Sequence, residues 1–409
     1  MLLVLREDLM STAETTQRAE PFEIAVTQEK IDRILRRVRT FDWDAMPALE
    51  GWALGTDHTF LRDLCTYWVE QYDWRRAERA MNVFAHVRAD VGSVRLHALR
   101  ERGSGKAPQP LLLLHGWPYS FASFLGVVEQ LAHPERFGGD AEDGFDVVVA
   151  SLPGYGFSGK PAAPMGPQAM GDLLDALMTD VLGYGRYLVQ GGDFGGFIAS
   201  RLGFDHAAHL LGVHSNSFMV RHDGAMLGSG QAGPGKTTDD ERAFVQAEAQ
   251  GFMAEGGYAV IQGTRPQSLG AAMQDSPVGA AAWIVETFHA WSDRRERAFP
   301  EIFTPDQLLT EVMIYLVTDT FTTATWIYPA YFVEGSATLP AGKRVEAPTA
   351  FAAYPDPVFA APPRSFMERS HHVAQWSQMP RGGHFPALEV PDLYVRDVQQ
   401  FGRLLRRDP

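Results

Sequence analysis

Residues Tyr187–Gly196 read YLVQGGDFGG, and this stretch decides the fold. An apolar run ends in a turn of small residues, and a helical pattern over Phe194–Leu202 begins directly behind it. A strand that turns sharply into a helix and carries a reactive side chain between small neighbours is typical of a nucleophile elbow. The neighbours must be small because the turn holds the reactive residue at strained backbone angles. Gly191 and Gly195 meet that requirement, so Asp193 is the candidate nucleophile.

Apolar runs that end in turns recur along the chain on both sides of this stretch. They predict strands at Leu111–Leu114, Val147–Leu152, Tyr187–Gln190, Leu210–Ser215, Val345–Ala353 and Val373–Met379. Helical patterns lie between or after them, at Phe121–Leu131, Ala169–Leu182 and Asp392–Leu405. Because strands alternate with helices, the sequence predicts an α/β protein whose mostly parallel, doubly wound sheet is covered on both faces.

The remaining segments divide the chain further. Residues 1–105, with helical patterns at Gln28–Val38 and Thr59–Tyr72, are predicted to form an N-terminal extension. Residues 106–217 and 343–409 form the two parts of the sheet domain. Between them, residues 218–342 are mainly helical and contain a Gly-rich stretch, Gly224–Gly235, which predicts an exposed loop. We expect this insertion to act as a helical lid over the carboxyl edge of the sheet.

Composition excludes several classes of function. The chain has 409 residues, of which 45% are hydrophobic, so it can bury a sizeable core. Its net charge of −14 repels a polyanion, which argues against a nucleic-acid partner. Cys65 is the single cysteine, so an intramolecular disulfide and a Cys-based zinc site are excluded. No HExxH, CxxC or GxGxxG motif occurs in the required context, and we therefore predict neither a metal nor another cofactor.

The N-terminal residues do not predict a targeting segment. The apolar run Met1–Leu5 is too short for a signal peptide and is followed at once by charged residues. No run of about 18 apolar residues occurs elsewhere, so no membrane anchor is expected. The sequence thus predicts a soluble, cytoplasmic protein, with Met10 as an alternative start.

Aspartate at the nucleophile position determines the chemistry. A carboxylate is nucleophilic at neutral pH without a base, and it forms an alkyl ester with an electrophilic sp³ carbon, as in an epoxide or a haloalkane. Water must then hydrolyse that ester. The structural alternative for Asp193 is a Gly-rich phosphate loop or a simple tight turn.

Other motifs supply the groups that such chemistry needs. His115-Gly116-Trp117-Pro118 follows a strand where α/β-hydrolases place an oxyanion loop, so the backbone amides of Trp117 and Phe194 are the candidate oxyanion donors. His384 follows the last predicted strand and lies between two glycines and a phenylalanine. It is the expected base. Asp356 directly follows a strand and is the favoured acid partner of that histidine, with Glu334 as the rival carboxylate.

Together these segments resemble the epoxide hydrolases of the α/β-hydrolase superfamily, of the microsomal type with an N-terminal extension. The resemblance covers nearly the whole chain. It is carried by HGWP at 115–118, SLPGYGFS at 151–158, GGDFG at 191–195, RGGHFPALE at 381–389 and YDWRRAERAMN at 72–82. It implies an α/β-hydrolase fold and a cofactor-independent enzyme that hydrolyses an epoxide to a vicinal diol.

The resemblance also implies two lid tyrosines that activate the epoxide oxygen. Tyr258, in GYAVIQGTRP, takes the place of the first, and Tyr328 takes that of the second. A tyrosine is neutral at pH 7 and can donate a proton to the alkoxide that forms on ring opening. The chain departs from the family in two places. The family usually has its acid one position after Asp356, where this chain has Pro357, and a tryptophan where it has Phe194.

A haloalkane dehalogenase is the alternative enzyme, since it uses the same aspartate nucleophile. In such dehalogenases the residue that follows the nucleophile usually carries a side-chain N–H that binds the halide. Phe194 occupies that position here and has no such group. A small hydrophobic epoxide is the expected substrate, as suggested by four aromatic residues, although each more often belongs to the core than to a pocket wall: Phe218, Trp283, Phe288 and Trp326. Detoxification, catabolism of aromatic hydrocarbons and a biosynthetic step are the roles among which the sequence leaves the choice open. Relatives with the extension are often dimers, which implies a homodimer.

Overall fold

The computed structural model describes residues 18–407, so the predictions about Met1–Leu5 and Met10 lie outside the described residues. These residues form one nine-stranded sheet. The strands are β1 (Glu20–Phe22), β2 (Ala85–Val91), β3 (Val94–Glu101), β4 (Gln109–Leu114), β5 (Phe145–Ala150), β6 (Tyr187–Gly191), β7 (Leu210–Ser215), β8 (Val345–Ala353) and β9 (His371–Gln378). Their order across the sheet is β1-β2-β3-β5-β4-β6-β7-β8-β9.

The direction of the strands confirms the predicted α/β sheet. All neighbouring pairs from β5 to β9 run parallel, whereas β1, β2, β3 and β5 pair antiparallel. The central parallel strands β4, β5 and β6 are mainly apolar because both faces of a parallel sheet are buried. Leu111–Leu114 of β4, for example, have no exposed surface.

Helices connect the strands and form the insertion. They are α1 (Gln28–Arg39), α2 (His58–Glu70), α3 (Trp74–Met81), α4 (Leu125–Ala132), α5 (Pro167–Ala176), α6 (Asp193–Asp205), α7 (Asp239–Glu255), α8 (Gly257–Thr264), α9 (Pro266–Asp275), α10 (Pro277–Trp291), α11 (Phe299–Ile302), α12 (Pro305–Thr318), α13 (Phe321–Thr325), α14 (Ile327–Glu334), α15 (Arg364–Met367), α16 (Pro386–Glu389) and α17 (Pro391–Arg407). The predicted helix over Ala169–Leu182 is split, because a π-helical turn at Leu177–Val181 follows α5.

Both faces of the sheet carry helices, as predicted. In β7, a Cβ placed on Gly212 would lie 2.9 Å from Phe401 of α17. The next residue, Val213, faces the opposite way and packs against α6. A Cβ placed on Gly203 of α6 would lie 2.6 Å from the Val213 side chain. Consecutive strand residues point to opposite faces, so α17 covers one face and α6 the other.

The N-terminal segment differs from the sequence prediction, which placed only helices there. Residues 18–101 also provide β1, β2 and β3, which extend the sheet by antiparallel pairing with β5. A two-residue turn, Gly92-Ser93, joins β2 to β3, and Gly92 has a φ of 56°, which suits glycine in a tight hairpin. The segment is therefore part of the sheet as well as a helical cover.

Helices α7–α14 lie between β7 and β8, within the predicted insertion. The Gly-rich stretch over 224–235 contains no helix or strand and is largely exposed, apart from the buried Ala225. Among the described residues, no helix is long and apolar enough to cross a membrane.

Candidate active site

The turn after β6 holds Asp193 in the conformation expected of a nucleophile elbow. Its φ is 50°, in the left-handed region that a residue other than glycine adopts only when its surroundings force it to. The surroundings leave no alternative, since a Cβ on Gly191 would lie 2.2 Å from the carbonyl of Gly195, and one on Gly195 would lie 2.2 Å from the carbonyl oxygen of Leu114. The glycines are required by the close approach of backbone to backbone.

The HGWP loop after β4 contacts the carboxylate of Asp193 directly. The backbone N–H of Trp117 donates a hydrogen bond of 2.9 Å to Asp193 Oδ1. A Cβ on Gly116 would come within 2.2 Å of the same oxygen, so only glycine lets the loop approach. The Phe194 N–H belongs to the first turn of α6, where backbone N–H groups have no partner within the helix. Both predicted oxyanion amides thus flank Asp193.

His384 lies between two carboxylates at the same edge of the sheet. Its Nδ1 is 2.8 Å from Asp356 Oδ2, and its Nε2 is 3.4 Å from Asp193 Oδ2. Asp356 is held in turn by the backbone N–H groups of Val358 and Phe359, which donate to its Oδ1. The structure therefore brings Asp193, His384 and Asp356 together in the order nucleophile, histidine and acid.

The neighbouring charges determine the protonation of His384. Burial alone would lower the pKa of this histidine, but the contacts with Asp193 and Asp356 outweigh it and raise the pKa to about 10. The imidazole is consequently protonated at neutral pH. Loss of the charge on either carboxylate would lower this pKa.

Glu334, the rival acid, serves elsewhere. Its carboxylate accepts the backbone N–H groups of Gln168 and Ala169, at 3.0 and 3.1 Å, at the start of α5. It also accepts a hydrogen bond from the hydroxyl of Ser336. Acceptors at this position cap a helix N-terminus. Glu334 therefore links the end of α14 to α5 rather than contacting His384.

The loop that carries His384 is fixed by groups that sequence reasoning did not identify. Glu389 accepts the backbone N–H groups of Gly383 and Phe385, on either side of the histidine, and that of Asp293. Asp293 accepts the N–H of Gly382, and the carbonyl of Trp291 accepts that of His384 itself. The glutamate at the end of RGGHFPALE was the signal that could have revealed this clamp.

Tyr258 and Tyr328 reach the site from the insertion. Tyr258, on α8, stacks on Trp117 with ring centroids 5.3 Å apart, and Tyr328, on α14, meets the ring of Phe194 edge-on at 4.9 Å. The two tyrosine rings are 5.9 Å apart and perpendicular. Burial raises the pKa of both phenols well above the usual value, so each is a neutral hydrogen-bond donor at pH 7. The Tyr328 hydroxyl has no partner among the described residues.

These groups line one cavity with mainly apolar walls. Asp193, Asp356, His384, Tyr258 and Tyr328 all face it. The rest of the wall includes Phe218, Met219, Arg221, Met226, Leu227, Glu248, Phe252, Tyr331, Phe332 and Phe359. Of these, Arg221 and Glu248 form a buried ion pair, which neutralises both charges.

Of the four aromatic residues that suggested a hydrophobic pocket, Phe218 belongs to this wall and the others pack elsewhere. Phe288 stacks on Phe385 at 4.2 Å, Trp283 donates its indole N–H to Gln262, and Trp326 is partly buried outside the cavity lining.

One group of side chains among residues 18–407 could hold a metal ion, and it lies away from this cavity. Asp175, His206 and His209 place ligand atoms within 4.8 Å of one another. The two histidines follow α6, whose 13 residues extend about 20 Å from Asp193. Asp175 Oδ2 lies 3.2 Å from His206 Nδ1 and 2.8 Å from His209 Nδ1, so contacts within the protein account for the cluster.

A parallel sheet that carries an aspartate at a nucleophile elbow, a histidine and a second carboxylate at its carboxyl edge defines a hydrolase of the α/β-hydrolase fold. Comparison with known proteins agrees. The model of the alpha/beta hydrolase fold matches residues 109–231, and the model described as epoxide hydrolase N terminus matches residues 19–124.

Relatives of nearly full length define the family more closely. A relative from Stigmatella aurantiaca (strain DW4/3-1) is 35% identical over 94% of this chain and 85% of its own length. Epoxide hydrolase 1 of Sus scrofa is 30% identical over 95% of this chain and 89% of its own. The solved structure of the Aspergillus niger epoxide hydrolase superposes with a TM-score of 0.78 at 26% identity, covering 95% of this chain and 96% of that one. The chain belongs to the epoxide hydrolase family.

Proposed function

We propose that the enzyme opens its epoxide through a covalent ester on Asp193 and then hydrolyses that ester with water activated by His384. The observation that carries this proposal is the position of His384, with Asp356 at 2.8 Å on one ring nitrogen and Asp193 at 3.4 Å on the other. A histidine held in this way is positioned to activate a water molecule for attack on the ester carbon of Asp193.

Ring opening uses the two oxygens of Asp193 differently. Oδ1 accepts the Trp117 N–H, whereas Oδ2 makes no such bond and is the oxygen that attacks the oxirane carbon. The carbon–oxygen bond of the ring breaks, and Tyr258 or Tyr328 donates its proton to the oxygen that leaves. The perpendicular arrangement of the two phenol rings over the same cavity suits two donors that share one oxygen atom.

Ester formation then prepares the histidine. The ester removes the negative charge of Asp193, one of the two charges that raise the pKa of His384. The imidazolium therefore gives up its proton, which restores the tyrosine hydroxyl through solvent, and the neutral ring can accept a proton from water. That water gives one proton to His384 and attacks the ester carbon, and the Trp117 and Phe194 amides stabilise the oxyanion. The carbon–oxygen bond to the alkyl group then breaks, and the diol leaves with the proton returned by the histidine. The new Asp193 carboxyl passes the remaining proton of the water to His384, which restores the carboxylate and the imidazolium.

A hydrophobic epoxide is the proposed substrate class, because the cavity wall is mainly apolar and its single ion pair is internally neutralised. In this proposal residues 218–342 act as the lid that excludes bulk water. A haloalkane dehalogenase would instead need side-chain N–H donors for a halide next to Asp193, and Phe194 supplies none. Diol and halide release from matched substrates would separate the two activities.

One turnover in heavy-oxygen water tests the covalent route. Peptide mass analysis should find the label in the carboxylate of Asp193, because water attacks the ester carbon and not the epoxide. Label in the diol alone would contradict the proposal.

The variant His384→Gln provides an independent test. It should form the alkyl ester and fail to hydrolyse it, so the intact mass should rise by the mass of the epoxide. No mass increase together with lost ring opening would assign the histidine to a different step. The cytoplasmic location and the homodimer stay predictions, and sedimentation of the purified chain would check the latter.

A further inference from the structure

A second, much smaller cavity lies beside His384. It offers about 10 Å³ to the centre of a water-sized sphere, which is close to the room that one buried water molecule needs. His384 and Asn216 line both this cavity and the substrate cavity. The other polar groups in its wall belong to Tyr119, Ser123, Gln190 and Tyr394.

A chain of hydrogen bonds determines which groups of this wall remain available. The hydroxyl of Tyr394 donates to Gln190 Oε1, so the amide nitrogen of Gln190 faces Asn216 and donates to its Oδ1 at 3.2 Å. This fixes the orientation of the Asn216 amide and leaves its Nδ2 group as a donor that is not used by the described residues.

The free amide lies next to the nucleophile. A Cβ placed on Gly192, the residue before Asp193, would be 2.8 Å from Asn216 Nδ2 and 3.1 Å from the Tyr119 hydroxyl. Burial raises the pKa of Tyr119 well above its usual value, so its oxygen is a neutral phenol and can accept a hydrogen bond. One donor and one acceptor therefore flank the backbone that carries the ester.

We propose that this cavity binds the water molecule that hydrolyses the ester, with Asn216 as its positioning residue. The inference rests on the ester mechanism proposed above. A water molecule has two protons and two lone pairs. Asn216 Nδ2 donates to one lone pair, Tyr119 accepts one proton and His384 Nε2 accepts the other. The remaining lone pair is directed to the ester carbon, where it forms the new carbon–oxygen bond as the proton moves to His384.

A separate groove adjoins this cavity and would supply it with solvent. Ala387 and Leu388 line both the small cavity and a larger groove of about 320 Å³, whose other walls come from α3, α4 and α12. The substrate cavity shares none of the residues of this groove. Water can thus be replaced while the apolar alkyl group of the ester fills the substrate cavity.

Pre-steady-state kinetics of Asn216→Leu test the proposal, because leucine keeps the size of the side chain and removes the donor. We expect an unchanged rate of ester formation and ester hydrolysis slowed by about 10- to 100-fold, the scale of a misplaced reactant. The alkyl-enzyme should then accumulate at steady state in the intact mass, and kcat should fall much more than kcat/KM. Equal losses in both steps, or ester hydrolysis at the wild-type rate, would overturn the assignment.

A second variant tests the same site without touching Asn216. Ala387→Leu should close the passage between groove and cavity and also slow hydrolysis selectively. The matched control is Ala254→Leu, which adds the same volume to an exposed position on α7 that lines neither the groove nor either cavity, and it should leave both steps unchanged.

Failure of the water site is distinguishable from failure of the ester mechanism. If His384→Gln traps an ester while Asn216→Leu hydrolyses it normally, only the water site is wrong. If His384→Gln traps none, the mechanism fails.

Discussion

The two walls of the substrate cavity hold their functional groups by different means. On the sheet side, Asp193 and the Trp117 amide are fixed by backbone packed against backbone, where a single added methyl group has no room. On the insertion side, Tyr258 and Tyr328 belong to short helices and are positioned by the faces and edges of aromatic rings. The sheet side therefore fixes the chemistry rigidly, whereas the insertion side can change the shape of the cavity by repacking.

The largest effect is expected from Asp193→Asn on the sheet side. The amide keeps the size of the side chain but is not a nucleophile, so diol formation should fall by at least about 10³-fold. The same change removes one of the two charges that raise the pKa of His384, and that pKa should drop from about 10 toward the ordinary histidine value. Steady-state assays and histidine NMR titration measure the two effects.

Asp239→Asn, at an exposed position on α7, is the matched control and should leave both activity and the His384 titration unchanged. If Asp193→Asn kept most of the activity, Asp193 would not be the nucleophile.

On the insertion side we expect a graded loss. Tyr258→Phe and Tyr328→Phe should each slow ester formation by about 10²-fold, because either phenol can still donate to the epoxide oxygen, and the double variant should lose much more. Rapid-quench measurement of the alkyl-enzyme gives these rates. Tyr184→Phe, whose hydroxyl lies near Arg100 and Asp146, controls for loss of a phenol. If the double variant were no slower than either single one, the tyrosines would not share one oxygen.

The rigidity of the sheet side is tested by Gly195→Ala. The new methyl group would lie 2.2 Å from the Leu114 carbonyl oxygen, so the backbone must shift and the free energy of unfolding should fall by about 2 to 3 kcal/mol. Gly126→Ala, in α4 with nothing near its Cβ, should instead be neutral or stabilise the protein by about 0.5 to 1 kcal/mol. Chemical denaturation measures the free energy of unfolding of both variants. Equal effects would show that the close approach of the backbone at Gly195 does not limit the turn.

The effect of alkaline pH is the most gradual. The pKa of His384 is raised in the folded protein, so its stabilising contribution is complete below about pH 6.5 and is lost as the pH rises toward 10. Between these values the free energy of unfolding should fall progressively, because the unfolded state releases this proton at a lower pH than the folded state does. In His384→Gln this part of the slope should be missing, as measured by Tm from pH 7 to pH 10. A slope identical to that of the parent protein would contradict the charge assignment.

The sheet side could be predicted from the sequence because local signals specify it. Apolar runs mark β4, β6 and β7, and the glycines around Asp193 are themselves the consequence of the close packing. The hairpin of β2 and β3 was missed although its alternating pattern and Gly92-Ser93 turn are also local signals. The helical patterns of the N-terminal segment outweighed them.

The insertion side could not be predicted in this way. Tyr258 and Tyr328 lie in helices far apart in sequence, and only tertiary packing brings their rings to 5.9 Å. The resemblance to a family, rather than any pattern of residues, singled them out. The partners of Glu389 were also hidden: the sequence shows this glutamate in RGGHFPALE, but it cannot show which backbone N–H groups the carboxylate accepts.

The hydrogen bonds of His384 to the end of α10 have a consequence for protein engineering. The carbonyl of Trp291 and the backbone N–H and carboxylate of Asp293 belong to the insertion, yet they hold the loop that carries His384. An insertion transplanted from a relative as a complete cassette would bring its own version of this contact and could displace the histidine by a fraction of an ångström. Chimeric enzymes with altered substrate range should therefore retain residues 291–293 of the recipient and exchange only the helices around them.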